Sequence, residues 1–594
     1  MWSQVNFCCV YLIYSCSYTV FVTILYITNF LFTYSSFLYS TSNVNFTHVT
    51  FDYIVVGSGS GGSILVHELL QDNTRNHSIL LLEAGPMSYS LLNLPMLAPL
   101  LQRTPYDWAF ETVPQKDACW GLQNQISKWP RGKILGGSSR LNYMVYLRGH
   151  KNDFDSSWPS SWTFSDFNQF SSVSYKPIDP FSLLSHHLVP DNQWVDLNQG
   201  NVTGYMNTPL TRSEGLRSCC DHYIDLENER LTVLTEAFVT KVLFEGNTAV
   251  GVEYEVHGSQ YRASGNTVVL SAGAVMSPHI LLHSGIGARD QLKQHKIPVL
   301  VDSPGVGQNL QDHIGVGVDN VAINITFVSP YEVLNWRNSW DFITKREGLW
   351  TFGGVELVSL LKTDPSLPVP DIQFMIAPMG ISIDAGTGFR HSMGFKPEVW
   401  DSYFQTLDGS GGSVFSILVV LLHPRSKGDI RLTSSDPHDP PRIDPRYLTD
   451  RRDVETLIKG IGLVKDLLRS NPRLRALNAT LRASSLIPGC ESHPVDSHSY
   501  WECYVRTLSV TSYHPVGTCA MGTVVDSHLQ VKGVQNLYIG DASVFPTMPS
   551  ANTQALTILA GHKLGRHLKY LAYARSVSCP RLFIWSAQCC LLED

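Results

Sequence analysis

Residues 51–86, FDYIVVGSGSGGSILVHELLQDNTRNHSILLLEAGP, constrain the fold of this chain more than any other stretch. The run at 51–56 is apolar and β-branched, as expected of a buried parallel strand. Gly57, Gly59 and Gly62 follow it in the spacing G-x-G-x-x-G. This spacing allows a tight turn, close approach of the backbone to a pyrophosphate, and close packing of the next helix. The segment therefore predicts a strand–turn–helix unit that binds a dinucleotide.

The helix and second strand expected after this turn carry the same signal. Apolar residues recur at helical spacing from Ile64 to Leu70, and the free N–H groups at the start of such a helix attract an anion. A second predicted strand at 78–82 ends in Glu83, roughly 20 residues past the glycines, where an acidic side chain holds a ribose hydroxyl. A glycine triplet alone is weak evidence, and a flexible glycine loop is the alternative. The complete unit favours the dinucleotide site.

The N-terminus is unusually apolar. The first 51 residues contain no Asp, Glu, Lys or Arg, and the run at 10–32 is long enough to span a bilayer. A signal peptide or signal-anchor is the favoured interpretation, although the usual basic residues before it are missing; a mispredicted start and a buried β-rich segment are the alternatives. Both targeted interpretations predict a secreted or membrane-anchored protein, with possible membrane association through this segment. Five N-x-S/T sequons are compatible with export, at Asn45, Asn76, Asn201, Asn324 and Asn478.

Composition excludes several classes of protein. At 594 residues, with 43% hydrophobic and 16% charged residues, the chain is globular and long enough for two or three domains. A net charge of −7 and the lack of a Lys/Arg run argue against a nucleic-acid partner. None of the 12 cysteines forms a C-x-x-C pair, and H-E-x-x-H does not occur, so we expect no metal site. Cys490 and Cys503 are the favoured disulfide candidates if the chain is exported, and two unlinked thiols are the alternative.

Four later blocks have the character expected of the same nucleotide-binding domain. Residues 129–149, WPRGKILGGSSRLNYMVYLRG, form a glycine–serine turn whose polar side chains can hydrogen-bond a ring or a phosphate. Residues 231–254 alternate as two strands of a β-meander, and 267–287 predict a strand, a turn and a helix of the same nucleotide-binding sheet. Residues 512–569 are again glycine-rich, with a short strand before Asp541 and a closing helix. These blocks are expected to assemble into one domain.

Residues 314–509 differ from those blocks. They contain long apolar and aromatic stretches, many prolines and an amphipathic helix near 453–468, which together predict a separate domain that covers the substrate. Glu356 lies there among apolar residues, in GGVELVSLL, and its carboxylate could bind a cationic substrate. A charge at a strand end that faces water is the alternative for Glu356.

Four of these blocks together resemble the glucose-methanol-choline (GMC) family of FAD-dependent alcohol oxidoreductases, over roughly residues 51–568. The resemblance rests on GSGSGG with Glu83, on PRGKILGGSSRLNYMVYLRG, on GAVMSPHILLHSGIG, and on YHPVGTCAMG followed by YIGDASVFPTMPSANTQALT. The stretches HPRSKGDIRLTSSDPHDPPRIDPRYL and YWECYVR are similar to animal members described as glucose-dehydrogenase-like or choline-dehydrogenase-like. Arg140 departs from the family, which more often has a small residue there, and would add bulk and charge near the cofactor.

The resemblance implies an FAD cofactor and assigns one group of residues to its ADP half. Gly57, Gly59 and Gly62 would hold the pyrophosphate, and Glu83 would hold the adenosine ribose. Val239 would contact the adenine through its backbone.

A second group is assigned by the resemblance to the flavin end. Gly136, Ser138 and Asn142 would lie along the isoalloxazine ring and its phosphates. Asp541 would hold the ribityl or pyrophosphate part of the cofactor. The catalytic pair of the family falls on His514 and Asn552.

The chemistry of alcohol oxidation supports these two roles independently. Hydride transfer to flavin N5 requires loss of the hydroxyl proton, and His514 has the side chain whose ordinary pKa suits a general base near neutrality. Pro515 biases its backbone toward an extended conformation, which helps to position the imidazole. The amide of Asn552 can donate a hydrogen bond to the alkoxide. The alternatives are a core histidine and a turn asparagine.

The sequence thus predicts an α/β fold with two parts. A Rossmann-like FAD-binding domain with a parallel sheet and a β-meander would be assembled from 51–150, 225–313 and 510–570. An α+β substrate-binding domain with an antiparallel sheet would be formed by 151–224 and 314–509, between a leader (1–50) and a tail (571–594).

The predicted function is FAD-dependent oxidation of a small-molecule alcohol, with a quinone or oxygen as electron acceptor. A lyase of the same family and a catalytically silent FAD-fold binding protein are the alternatives. A NAD-dependent dehydrogenase is a third, which the later blocks argue against.

Overall fold

The computed structural model describes residues 46 and 48–576 except 73–74, 156, 171–187, 190–192, 326, 330–334, 385, 387, 405–412 and 483–486. The apolar run at 10–32 and the end of the predicted tail lie outside the described residues. Within the part of the chain that is described, no helix is both long and apolar enough to cross a bilayer. The leader therefore stays a prediction.

Two large sheets account for most of the extended structure. In the described residues their strands are, in chain order, β1 (Thr50–Val56), β2 (Ile79–Leu82), β3 (Gly204–Asn207), β4 (Leu231–Leu234), β5 (Ala237–Glu245), β6 (Thr248–Val256), β7 (Ser259–Leu270), β8 (Ile314–Val316), β9 (Val321–Ile323), β10 (Leu357–Leu361), β11 (Ile372–Ala377), β12 (Ser413–Leu421), β13 (Thr480–Leu481), β14 (Val510–Thr511) and β15 (Leu537–Ile539). Short strands pair outside these sheets: Phe110–Glu111 with Lys128–Trp129, Arg212–Ser213 with Leu216–Arg217, Ile286–Gly287 with Val301–Asp302, and Asp429–Arg431 with Arg442–Asp444.

The helices pack around these sheets. The longer ones among the described residues are α1 (Ser60–Leu70), α2 (Gly273–His283), α3 (Trp336–Lys345), α4 (Arg451–Ser470), α5 (His498–Leu508) and α6 (Gln554–Ser576). The shorter ones are Ala98–Leu101, Arg289–Gln294, Phe389–Met393, Pro397–Val399 and Pro472–Ala476.

The first large sheet has the strand order β4-β2-β1-β7-β6-β5, and β15 pairs with β7. β1 runs parallel to both β2 and β7, and β2 runs parallel to β4. The two central strands are fully buried at Ile54, Val55, Leu80 and Leu81, which is why they read as unbroken apolar runs. The predicted Rossmann-like sheet is confirmed.

The meander attached to this sheet differs from its prediction in one respect. β5, β6 and β7 pair antiparallel in sequence, and β5 and β6 are joined at Gly246 as expected. Residues 231–254, however, contain three strands where two were predicted. The first of them, β4, pairs in parallel with β2 and ends at a turn where Glu236 has a positive φ of 56°. Because that turn carries no glycine, the sequence pattern runs through it without a visible break.

The second large sheet is antiparallel and has the order β13-β9-β12-β11-β10-β3, with β8 paired to both β12 and β14. Helix α4 packs across it so closely that a Cβ added to Gly460 would lie 2.5 Å from Val419 Cγ1 of β12. This sheet and its helix confirm the predicted α+β architecture of the second part.

The last block of the chain returns to the first sheet. β15 pairs in parallel with β7, and α6 crosses α1 so closely that a Cβ added to Gly561 would lie 2.2 Å from Gly61 O. Val510–Thr511, which begin the predicted domain segment 510–570, join the antiparallel sheet instead. The division of the chain into the domain segments named above stays a prediction.

Cys490 and Cys503 are joined by a disulfide. The bond links the loop before α5 to the helix itself, because Cys503 lies within α5. The candidate pair chosen from the sequence is therefore confirmed.

Candidate active site

One cavity of about 840 Å³ lies between the carboxyl ends of the parallel strands and one face of the antiparallel sheet. The ends of β1, β2, β7 and β15 contribute Gly57, Glu83, Ser271 and Asp541 to its wall, and β11 contributes Met375 from the opposite side. Ligands of open α/β sheets bind in the crevice outside the carboxyl ends of the strands. This cavity is therefore the expected place for the cofactor.

The three glycines of the first turn occupy three different environments. Gly57 has a φ of 97°, and a Cβ added to it would lie 2.5 Å from Ser271 O. A Cβ on Gly62 would lie 2.0 Å from Gly57 O, because α1 starts directly against the end of the strand. A Cβ on Gly59 meets nothing within 4 Å, and Gly59 lines the cavity. Any side chain at Gly59 would therefore enter the cavity, as expected of the glycine that lets a pyrophosphate approach.

The N-terminus of α1 opens into the same cavity. Gly59 is the N-cap and provides no side-chain cap, and the first turn contains no acidic residue. Gly59, Ser60 and Gly61 all line the cavity. The N–H groups and the positive end of the helix dipole at this terminus therefore suit an anionic group.

Glu83 lines the cavity and also stabilises the glycine turn. Its Oε2 accepts hydrogen bonds from the backbone N and the hydroxyl of Ser58, at 3.0 and 2.7 Å, and its Oε1 accepts one from Gly85 N at 2.9 Å. Burial raises the pKa of Glu83, and the hydrogen bonds from Ser58 and Gly85 oppose that rise. The carboxylate thus has a structural function beside its predicted contact with a ribose.

Asp541 and Val239 also line the cavity. Asp541 Oδ2 accepts from Gly273 N at 2.9 Å and from the Ser277 hydroxyl at 2.5 Å, which joins the end of β15 to the start of α2. Burial raises the pKa of Asp541. Val239 lies on β5 and is buried.

The glycine–serine turn predicted at the flavin end lies directly over the first turn. Gly136 has a φ of 96° and is set back from the cavity, where its N–H donates to the Ser58 hydroxyl at 3.0 Å. Gly137 and Ser138 line the cavity beside it. Of the two residues of this turn that were predicted to lie along the flavin, Ser138 lines the cavity wall and Gly136 lies behind it.

Asn142 lines the cavity with both ends of its amide engaged. Its Nδ2 donates to Gln554 Oε1 at 2.9 Å, and its Oδ1 accepts from Arg217 Nη1 at 2.8 Å. Arg217, only 1% exposed, also donates to the carbonyl of Asn142 at 2.5 Å. The orientation of Asn142 is therefore held from behind the cavity wall.

Arg140, expected to add bulk and charge near the cofactor, lies outside the cavity lining. It is 4% exposed. Its guanidinium forms an ion pair with Asp221 and donates to the Ser88 hydroxyl at 2.7 Å. The added charge is therefore neutralised by a carboxylate and lies behind the cofactor-binding turn.

The two predicted catalytic residues are brought together. His514 Nε2 and Asn552 Nδ2 lie 3.1 Å apart at the cavity wall, although 38 residues separate them in sequence. Asn552 Oδ1 accepts from Gln373 Nε2 at 3.2 Å, so its Nδ2 is the end that faces His514. Met375 Sδ lies 3.8 Å from the same Nδ2.

The backbone around His514 is held by a buried carboxylate. Asp312 Oδ1 accepts from His514 N at 2.7 Å, and its Oδ2 accepts from the Thr511 hydroxyl at 2.6 Å. Tyr513, immediately before the histidine, has a positive φ of 63°, and Arg131 Nη2 donates to its carbonyl at 2.6 Å. A strained residue of this kind persists only where its surroundings hold it, and such positions cluster at functional sites.

A second histidine completes the arrangement. His313 is fully buried, its Nδ1 lies 3.0 Å from His514 Nδ1, and its Nε2 lies 3.0 Å from the carbonyl of Leu422. Burial and the neighbouring His423 lower the pKa of His313 to about 3, so its ring is neutral. A carbonyl only accepts hydrogen bonds, and His313 therefore carries its proton on Nε2 and accepts at Nδ1.

This contact determines the tautomer of His514. Since His313 Nδ1 accepts, His514 Nδ1 must carry the proton and donate, which leaves His514 Nε2 unprotonated and able to accept from Asn552 Nδ2. Burial, with smaller effects of His313 and Arg131, lowers the pKa of His514 well below its ordinary value. Nε2 therefore faces the cavity as a neutral hydrogen-bond acceptor, the state that a general base requires.

His313, Asp312 and Gln373 were not identified from the sequence. His313 and Asp312 end the GVGQNLQDH stretch, where two adjacent polar side chains follow a glycine-containing loop. That local pattern does not indicate contact with a residue 201 positions further along the chain.

The residues present fit FAD. A glycine turn, an open helix N-terminus and a buried carboxylate lie at one end of the cavity, as a pyrophosphate and ribose require. The cavity continues without interruption to His514 and Asn552, as required of a cofactor whose reactive ring is remote from its ADP half.

Known protein families match most of the chain. A family model described as GMC oxidoreductase matches the N-terminal part over residues 51–179 and 190–315, and its C-terminal counterpart matches 424–561. An alcohol dehydrogenase [acceptor] of Pseudomonas putida is 31% identical over 554 residues, covering 86% of this chain and 94% of that protein. A glucose dehydrogenase [FAD, quinone] of Drosophila melanogaster is 32% identical, covering 89% and 88%, and a human mitochondrial choline dehydrogenase is 32% identical, covering 87% and 90%.

Solved structures share the fold. A crystal structure of formate oxidase superposes with a TM-score of 0.76 at 23% identity, covering 90% of this chain and all of that chain. A fungal aryl-alcohol oxidase superposes with a TM-score of 0.70 at 22% identity, covering 88% and 99%. Together with the family models, the arrangement of the cavity confirms what the sequence predicted: this chain belongs to the GMC oxidoreductase family and is an FAD-dependent oxidoreductase.

Proposed function

We propose that this protein oxidises the CH–OH group of a small-molecule alcohol and that His514 is the general base. The observation that carries the proposal is the pair formed by His514 Nε2 and Asn552 Nδ2, 3.1 Å apart at the cavity wall. A substrate hydroxyl placed against both atoms would give its proton to Nε2 and accept a hydrogen bond from Nδ2. The amide would thereby stabilise the negative charge that develops on the oxygen.

The cofactor would be held by the residues assigned from the sequence. Gly57, Gly59 and the N-terminus of α1 would bind the pyrophosphate, Glu83 the ribose and Val239 the adenine. Ser138, Asn142 and Asp541 would bind toward the flavin, with Gly136 supporting their turn. Bound FAD would accept, at flavin N5, the hydride that leaves the carbinol carbon of the substrate.

His313 would position the base. It accepts a hydrogen bond from His514 Nδ1–H and so keeps Nε2 unprotonated before the reaction. After proton transfer both nitrogens of His514 carry protons, and Nδ1 still has the same acceptor. The base is therefore held in one orientation before and after the transfer.

The electron acceptor and the location of the protein are further parts of the proposal. We infer that a quinone or oxygen reoxidises the enzyme, and that the protein is secreted or membrane-anchored. The Cys490–Cys503 disulfide supports an oxidising compartment. The relative named glucose dehydrogenase [FAD, quinone] supports a quinone.

The test is anaerobic mixing of the yellow holoprotein with a panel of alcohols while the visible flavin absorbance is followed. Bleaching by an alcohol is the expected result. Retained FAD with no bleaching by any alcohol would contradict the proposal and favour a silent binding protein. Conversion of an alcohol without bleaching would instead favour a lyase. Reoxidation of the bleached enzyme by oxygen, compared with a quinone, identifies the acceptor.

A further inference from the structure

The part of the cavity beyond the catalytic pair is formed by one face of the antiparallel sheet. Gln373, Met375 and Ala377 alternate along β11 on the cavity side, while Ile372, Phe374 and Ile376 point to the opposite side and are fully buried. On the neighbouring strand β12, Leu418 is paired with Met375 and Ser416 with Ala377. These two cross-strand pairs form the floor of this part of the cavity.

The wall that rises from this floor is almost entirely apolar. Phe352, which precedes β10, contributes to it, and the loops and short helix that follow β11 contribute Met379, Ile381, Ile383, Phe389 and Met393. Three of the side chains in this floor and wall are methionines, which are flexible and adapt to apolar groups of different shape.

The polar side chains of this wall already have partners within the protein. Among the described lining residues between 318 and 418, the polar side chains are Ser416 and Asp384. The Ser416 hydroxyl accepts from Asp319 N at 3.0 Å and donates to the carbonyl of Met379 at 3.2 Å. Asp384 accepts from three backbone N–H groups, Gly386 at 2.8 Å, Gly388 at 2.8 Å and Phe389 at 2.7 Å. These internal bonds occupy the Ser416 donor and three acceptor sites of Asp384, which reduces what either side chain can offer to additional polar groups of a substrate.

Glu356, considered from the sequence as a partner for a cationic substrate, does not line the cavity. Its neighbours Gly354 and Val355 do. The hydrogen-bonding pair placed for a substrate hydroxyl beside the floor is His514 Nε2 and Asn552 Nδ2, which one hydroxyl is enough to satisfy.

We propose that the substrate is an apolar alcohol with a single hydroxyl, aliphatic or aromatic, and that the Met375–Leu418 floor selects it. This inference rests on the function proposed above. The hydroxyl lies against His514 and Asn552, and the hydrocarbon body covers Met375, Leu418 and the apolar wall. Each methylene buried there strengthens binding about fourfold.

The same surface discriminates against sugars and quaternary amines. Each additional sugar hydroxyl that lies against the apolar floor or wall would be buried without a partner, which weakens binding about tenfold. A quaternary ammonium group is recognised by a carboxylate or by the faces of several aromatic rings. The Asp384 carboxylate already accepts three backbone N–H groups, which compensate part of its negative charge and weaken its attraction for such a cation.

The test compares rates of flavin reduction in the anaerobic holoprotein for 1-butanol, 1-hexanol, 1-octanol, benzyl alcohol, D-glucose and choline. We expect kcat/KM to rise about fourfold per methylene in the linear series, and the apolar alcohols to exceed glucose and choline by at least about a hundredfold. Faster reduction by glucose or choline would overturn the inference and leave the proposed function intact.

A binding measurement separates failure of the inference from failure of the proposed function. Tertiary alcohols such as 2-methyl-2-hexanol and 2-methyl-2-octanol carry no hydrogen on the carbinol carbon and cannot be oxidised by hydride transfer. Their Kd values, measured from perturbation of the flavin spectrum, should fall about fourfold per methylene even if no alcohol bleaches the flavin. Kd values independent of chain length, or no perturbation at all, would overturn the inference.

A variant of the floor localises the effect. Leu418→Gln keeps the size of the side chain and should raise the KM for 1-octanol about tenfold, with a smaller change in kcat and a flatter chain-length dependence. Leu463→Gln is the matched control, because Leu463 is a partly buried leucine of α4 that does not line the cavity. Equal effects of the two substitutions would contradict the assignment of the floor.

Discussion

The Nδ1 atoms of His313 and His514 lie 3.0 Å apart, and this contact decides which nitrogen of His514 carries a proton. His313 is committed as a donor to the Leu422 carbonyl through Nε2, so it can only accept at Nδ1. The unprotonated Nε2 of His514 is thereby directed at the cavity. The backbone carbonyl of Leu422, directly after β12, thus determines the protonation pattern of the proposed base.

The positioning role of His313 predicts the effect of replacing it. His313→Phe keeps an aromatic ring but removes the acceptor for His514 Nδ1–H, so we expect kcat/KM to fall on the order of 10²-fold. His279→Phe is the matched control, because His279 is another buried histidine that meets a backbone carbonyl and does not line the cavity. The measurement is anaerobic flavin reduction across a range of pH. An unchanged rate and pH profile in His313→Phe would show that the contact does not position the base.

The lowered pKa of His514 predicts the pH dependence of the reductive step. A base acts in its unprotonated form, which persists at every pH above its pKa. Because burial and the neighbouring His313 and Arg131 lower the pKa of His514 well below 6.5, the rate of flavin reduction should stay constant as pH falls from 8 to 6.5. The decline should begin only at more acidic pH. A decline centred above pH 6.5 would mean that another group controls the reaction.

The open space at Gly59 predicts loss of cofactor without loss of fold. A valine at Gly59 meets no protein atom near its Cβ but enters the cavity, so Gly59→Val should fold normally and retain much less FAD. Flavin absorbance per protein and far-UV circular dichroism measure the two effects. Gly462→Ala is the control, since a Cβ there also meets nothing within 4 Å and Gly462 does not line the cavity. Full FAD content in Gly59→Val would place the pyrophosphate elsewhere.

The buried ion pair of Arg140 and Asp221 predicts that removing one charge destabilises the protein more than removing both. Arg140→Ala leaves the Asp221 carboxylate without its charge partner, so the free energy of unfolding of the holoprotein should fall by about 3–5 kcal/mol. The double variant Arg140→Met/Asp221→Leu removes both charges and should be considerably more stable than Arg140→Ala. Urea unfolding measures the difference. Equal stability of Arg140→Ala and the unchanged protein would show that the pair contributes nothing.

The parts of the fold that sequence patterns predicted well depend on local interactions. The strand at 50–56, the glycine turn, α1 and the strand ending at Glu83 follow one another directly, so the apolar runs and glycines identify them. The short strand β4 was merged with the meander because its turn at Glu236 carries no glycine. The position of Arg140 depended on Asp221, a residue from a distant segment whose approach no local pattern indicates.

The residues of the candidate site also fall into those that the sequence identified and those that only long-range contacts reveal. His514 and Asn552 were identified from motifs near each other in sequence, and the structure brings them together. His313 is 201 residues from His514, and its contact depends on the meeting of β8 with β14 in the antiparallel sheet. Likewise, the apolar floor results from the pairing of Met375 with Leu418, which strand registers determine and composition does not.

The most direct test of the proposed chemistry is the rate of anaerobic flavin reduction by a saturating alcohol substrate in His514→Ala, measured with the FAD content of the same sample. Removal of the base should lower the rate by about 10²–10⁴-fold while the protein retains its FAD, because His514 is proposed to act on the substrate proton and not to bind the cofactor. A fully FAD-loaded His514→Ala protein that is reduced as fast as the unchanged enzyme would contradict the assignment of His514 as the base.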